Sequence, residues 1–123
     1  MKLNMKSEVE EINESEFERE VLRSKLPVLV GFLAGWSQPC RLVEPVLEEV
    51  AETCTGSARV LKVNVDDNPD LGIWYGIQSV PTLSYFINGC VRERIVGMAS
   101  PKAILAKLQS ITWGEPSDEK SEQ

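Results

Sequence analysis

The sequence predicts an α/β fold: a central mixed five-stranded sheet flanked by four helices. Three observations carry this reading. Residues 28–33, VLVGFL, are continuously apolar, as in a strand buried on both faces. Strand-like and helix-like patterns alternate along most of the chain, which implies parallel strands joined by crossover helices. Asn88-Gly89, between two strand-like runs, is a strong two-residue hairpin signal and adds an antiparallel edge.

The elements follow in order. Residues 1–8 are polar and are expected to be a flexible N-terminus, with the folded domain covering 9–113. Val9 to Ile12 reads as a short first strand. Asn13 or Ser15 caps a helix carrying Phe17, Val21 and Leu22, with Glu14 and Glu16 favourable in its first turn. Lys25-Leu26-Pro27 breaks the pattern before Val28–Leu33. A helix then runs from about Pro39 to Thr53. Leu42, Val43, Val46, Leu47 and Val50 form its apolar set, while Glu44, Glu48, Glu49 and Glu52 are expected to face water. Pro45 lies inside this helix and should kink it. Thr55-Gly56 ends it. Val60–Val65 is the next strand. Asp66 to Pro69 is a turn opening a short helix that ends near Tyr75-Gly76. Leu83–Ile87 and Val91–Val96 are the hairpin strands. Ser100-Pro101 pairs an N-cap with an N1 proline for a last helix bearing Ile104, Leu105, Leu108 and Ile111. Residues 114–123, GEPSDEKSEQ, read as a disordered acidic tail.

Composition excludes several functions. A net charge of -6 argues against nucleic acid and anionic lipid, both of which select clustered Lys and Arg. No apolar run approaches the ~20 residues of a membrane helix, and the N-terminus has no apolar secretory core, so a cytoplasmic protein is expected. The chain has no histidine and three scattered cysteines, Cys40, Cys54 and Cys90. That composition offers no metal site and no disulfide scaffold. No nucleotide-binding glycine motif is present, and no cofactor is expected.

Trp36-Ser37-Gln38-Pro39-Cys40 at a helix start, followed by Pro45, Lys62-Val63-Asn64-Val65-Asp66, Asn68-Pro69, Tyr75-Gly76-Ile77, Val80-Pro81-Thr82, Asn88-Gly89 and Val96-Gly97, resembles the thioredoxin family in residues and in order. The resemblance spans about residues 9–111 and implies the thioredoxin fold and thiol–disulfide oxidoreductase descent, with a role in cell redox homeostasis. In the family, a first cysteine at a helix N-terminus attacks a substrate disulfide, and a second cysteine one turn later resolves the mixed disulfide. The implied partners are client proteins bearing disulfides or thiols, with a separate thioredoxin reductase as electron donor. Pro81 corresponds to the family's cis-proline, and the Val80 backbone would pair with an extended client. Trp36, Gln38, Pro39, Ile77, Val80, Pro81, Gly97 and Met98 would line that groove, with Met98 narrowing it. Core packing is the plainer reading of each apolar residue taken singly.

The pattern departs from the family at the chemistry. Ser37 occupies the nucleophile position. A serine hydroxyl is not acidic enough to attack a disulfide, and no histidine can activate it. The plain structural role for Ser37 is a helix N-cap or turn residue. Gly31 stands where the family has a buried acid, and Leu33 where it often has a second tryptophan. Lys62, near that acid in relatives, reads equally well as a surface lysine. Cys40 therefore aligns with the resolving cysteine and is the only thiol in the site. Cys54 lies roughly 20 Å away along the helix at 1.5 Å per residue. A disulfide needs Cα atoms within ~7 Å. Cys90 should be exposed, either as an adventitious thiol on a monomer or as the link of a disulfide dimer. Three accounts follow. The site has drifted, leaving weak or absent dithiol reductase activity with Cys40 limited to mixed disulfides; or a serine replaces cysteine in an otherwise active Trp-Cys-Gln-Pro-Cys protein; or the fold is a non-catalytic peptide-binding module. Gly31 and Leu33 favour the first, because a lone serine replacement changes only position 37.

Overall fold

Six consecutive buried residues, Val28–Leu33, form strand β2 at the centre of the sheet. The structure is a computed structural model and describes residues 7–113. The N-terminal stretch 1–6 and the tail 114–123 lie outside the described residues. Five strands align in the order β1-β3-β2-β4-β5. β1 (Glu10–Glu11) and β2 both run parallel to β3 (Arg59–Asn64). β4 (Thr82–Ile87) runs antiparallel to β2, and β5 (Cys90–Val96) antiparallel to β4.

Side chains alternate across each strand, so the sheet builds two cores. On one face, Leu29, Leu33, Val60, Leu83 and Tyr85 pack with Cys40, Val43, Leu47 and Val50 of α2 (Gln38–Thr53) and Ile104 and Leu108 of α4 (Pro101–Trp113). The Tyr85 hydroxyl donates to the Ile104 carbonyl at 2.9 Å, tying β4 to α4. On the other face, Val28, Val30, Phe32, Leu61, Val63 and Phe86 meet Phe17 and Val21 of the first helix and Leu71 of α3 (Pro69–Trp74). The first helix begins as α1 (Glu14–Phe17) and continues as a π-helical stretch, Glu18–Leu22. Asn13 is its cap: its N–H donates to Glu16 Oε1 at 2.9 Å. The capping expected of Ser100 is present, with Ala103 N–H donating to its hydroxyl at 3.1 Å.

Three details of the sequence reading change. The first strand is only two residues long, although Val9 and Ile12 beside it are buried as a strand core would be. Leu42 is exposed, because it falls on the outer arc of α2, opposite the inward line of Cys40, Val43, Leu47 and Val50. Glu44 and Glu48 do not simply face water. Glu44 Oε1 accepts from Lys62 Nζ at 3.0 Å, and Glu48 accepts from the Ser7 hydroxyl and, at 3.1 Å, from the Glu8 N–H. α2 runs through Pro45 to Thr53 as one helix.

The β4–β5 turn uses Asn88 (φ 52) and Gly89 (φ 81), both left-handed as a type I′ turn requires. A Cβ on Gly89 would lie 2.8 Å from the Leu22 carbonyl oxygen. Gly89→Ala is therefore expected to destabilise the fold by about 2 kcal/mol, from the left-handed penalty plus that backbone collision. Urea unfolding measures it, with a lowered midpoint at unchanged m-value.

Candidate functional site

The site forms where β2 hands over to α2. Ala34 to Ser37 is a tight connection in which Ser37 N–H donates to the Ala34 carbonyl at 3.2 Å. Ser37 is extended (φ -89, ψ 122) and is the N-cap of α2; its hydroxyl accepts the Cys40 N–H at 3.3 Å. Pro39 in the first turn lacks an N–H, which removes one of the donors a helix start leaves unpaired. The Ser37 carbonyl accepts from Arg41 N–H at 3.2 Å, and the Arg41 guanidinium donates to the Gly35 carbonyl at 2.7 Å. Ser37 is thus built into the loop as a structural cap and is 5% exposed.

Cys40 follows one turn later and is 1% exposed. Its sulfur accepts from Ala34 N–H at 3.4 Å. All three cysteines are free thiols. Cys54 caps the far end of α2, where burial pushes its thiol pKa up. Cys90 is exposed at the start of β5. Neither sits at the loop that holds Cys40.

The Val80-Pro81 peptide bond is cis. Val80 packs, half-buried, against the core cluster that contains Cys40. Pro81 is buried, and its carbonyl accepts from Gly97 N–H at 2.9 Å. Gly97 is left-handed (φ 96), and Met98 beyond it is exposed. Thr82 Oγ1 donates to the Ser79 carbonyl at 2.7 Å, fixing the residues just before the cis bond. The structure therefore joins Ser37 to Cys40, sets Val80 against the Cys40 cluster, and ties Pro81 to Gly97. Trp36 (71% exposed), Gln38 and Pro39 stand open on the α2 side of the loop.

Gly31, where the family resemblance leads one to look for an acid, lies beneath α2. A Cβ there would meet Leu47 Cδ1 at 3.0 Å, Leu83 Cδ2 at 3.5 Å and Leu33 Cδ2 at 3.7 Å. The space is closed by leucines. Lys62, in register with Gly31 on β3, binds Glu44 and is not a simple surface lysine. Glu44 is four residues beyond Cys40, on the flank of the same buried arc, and its partner Lys62 lies 18 residues away, so no local spacing signals its role. A 210 Å³ cavity lined by Leu33, Ala34, Gly35, Glu44 and Lys62 lies beside this pair. Arg94 of β5, which no sequence pattern singles out, binds the end of α3, with its guanidinium on the Tyr75 and Gly76 carbonyls.

Known proteins resemble this chain along most of its described residues. The thioredoxin family model matches residues 8–110. The thioredoxin of Pyropia yezoensis is 45% identical over 98 residues, covering 80% of this chain and 91% of that protein. Thioredoxin 1 of a Nostoc species is 45% identical over 97 residues, covering 79% and 90% respectively. The thioredoxin of Rickettsia bellii is 40% identical over 94 residues, covering 76% and 90%.

Proposed function

Because this chain belongs to the thioredoxin family, we propose that it binds extended, thiol- or disulfide-bearing client segments without completing a dithiol reduction cycle. Its setting in this reading is the reducing cytoplasm, its partners are client proteins, and it acts as a monomer. The observation that carries the proposal is the bond of the Ser37 hydroxyl to Cys40 N–H, which makes the nucleophile position a helix cap. Cys40 is left as the one thiol at the loop, with Cys54 and Cys90 elsewhere.

The chemistry open to a single thiol is exchange. The Cys40 thiol gives up its proton and attacks one sulfur of a client disulfide. A Cys40–client disulfide forms, and the other client sulfur leaves and takes up a proton. Nothing in the chain then displaces the client, so the adduct waits for an external small thiol. Burial of Cys40 slows the attack, since its sulfur must be uncovered first.

The test uses an extended apolar peptide whose cysteine is blocked as a disulfide with thionitrobenzoate, added to the Cys90→Ser chain. The expected outcome is a slow, persistent adduct at Cys40 by mass spectrometry, released only by added dithiothreitol. Release without added thiol contradicts the proposal. Reversible binding with no adduct favours the second reading, a purely non-catalytic binding module, for which the near-complete burial of Cys40 is the supporting observation.

A further inference from the structure

The connection from α3 to β4 carries Val80 and Pro81, and it is pinned at both ends by side chains. At its far end the buried Thr82 hydroxyl holds the Ser79 carbonyl at 2.7 Å. At its near end α3 stops: Gly76 is left-handed (φ 64), and Ile77 N–H closes back on the Gly72 carbonyl at 2.8 Å. At the helix end, no backbone N–H among the described residues donates to the Tyr75 or Gly76 carbonyl. Arg94 supplies the donors. Its register partner on β4 is Ser84, and Ser84 pairs in turn with Val30, so strand alternation places the Arg94 side chain on the α3 face. There one guanidinium nitrogen bonds the Tyr75 carbonyl and the other reaches the Gly76 carbonyl at 3.5 Å. A cation at a helix C-terminus also meets the negative end of the helix dipole. The Tyr75 ring beneath is held by Phe17 and Phe86, each with its ring centre 5.5 Å away.

We propose that Arg94 is a positioning residue for client binding: by clamping the Tyr75 and Gly76 carbonyls it fixes the 76–80 segment that forms one wall of the groove. The inference rests on the client-binding reading above, and it adds a residue that touches neither Cys40 nor the client. The exposed pair Ile73 (74%) and Trp74 (66%) sits on the same clamped helix end, so the clamp also sets where that apolar surface lies.

The test compares Arg94→Met, which keeps the stem and removes the donors, with Arg94→Lys, which keeps a charge. Hydrogen exchange is followed at Ile77, whose amide reports closure onto Gly72. In Arg94→Met that amide is expected to exchange about tenfold faster, as for loss of one charge-assisted hydrogen bond. The β4–β5 amides should keep their protection, and Arg94→Lys should lie between. Capture of the blocked peptide should slow several-fold. Reaction of Cys40 with the small disulfide dithiobis(nitrobenzoate), which needs no groove, should be unchanged. Unchanged Ile77 exchange in a folded Arg94→Met chain overturns the clamp. Faster exchange with undiminished peptide capture overturns its role in the groove. If the parent chain captures no peptide at all, the client reading fails separately, and the Ile77 exchange decides the clamp.

Discussion

Ser37→Cys is expected to accelerate insulin reduction by an order of magnitude or more over the unmodified chain, which is itself expected to add nothing to dithiothreitol alone. The N-cap and the third helical residue lie one turn apart, and the Ser37 side chain already reaches the Cys40 backbone N–H at 3.3 Å. A thiol at position 37 sits at the positive end of the α2 dipole, where its thiolate is favoured. It can attack a client disulfide, and Cys40 can then displace the client. The replacement has a structural cost, because sulfur is a weak acceptor and the cap is partly lost, about 1 kcal/mol of stability. A variant that folds and remains inert would place the fault in the groove or at position 31 and support the non-catalytic reading. The test is insulin turbidity alongside thermal unfolding, so that lost folding and lost chemistry are told apart.

Gly31→Asp is expected to be the most damaging of these substitutions to stability, at about 2–3 kcal/mol. The resemblance implies an acid at this position, but this chain has filled the place with leucines. Leu47 Cδ1 stands 3.0 Å from where a Cβ would sit, and Leu47 is fully buried. The carboxyl group would be held among Leu33, Leu47 and Leu83, while Lys62, the register partner on β3, is engaged by Glu44. Such a carboxyl has a folded pKa above its unfolded value, because burial penalises the charged form. The folded state then holds the proton more tightly, so stability falls as pH rises above the unfolded pKa and levels off beyond the folded one. The loss should therefore be smaller at pH 4 than at pH 8. Gly31→Ala is the size control: the backbone there is not left-handed, and the change should cost much less. An equal loss in the two variants at every pH would show that crowding, not charge burial, decides the position.

What the sequence reveals and what it hides divide along the range of the interactions. The run of Val28–Leu33, the Asn88-Gly89 turn, the Ser100 cap and the Ser37 cap all depend on near neighbours, and the pattern of residues contains them. Leu42 misleads because an apolar residue beside Val43 looks like part of the core stripe, although one residue of helix turns it 100° outward. Glu44 and Glu48 look like a solvated face because their partners, Lys62 and Ser7, lie 18 and 41 residues away in sequence. The Arg94 clamp spans 19 residues to Tyr75 and uses carbonyls, which have no sequence signature at all. The closing of the space over Gly31 required the positions of three leucines from three elements.

With Ser37 serving as the helix cap where a nucleophile is needed, this thioredoxin-family chain is expected to lack dithiol turnover. Insulin reduction by the unmodified chain, run beside a thioredoxin that has both cysteines, tests it most directly. The expected rate is no greater than that of dithiothreitol alone. A rate comparable to the two-cysteine protein would contradict it.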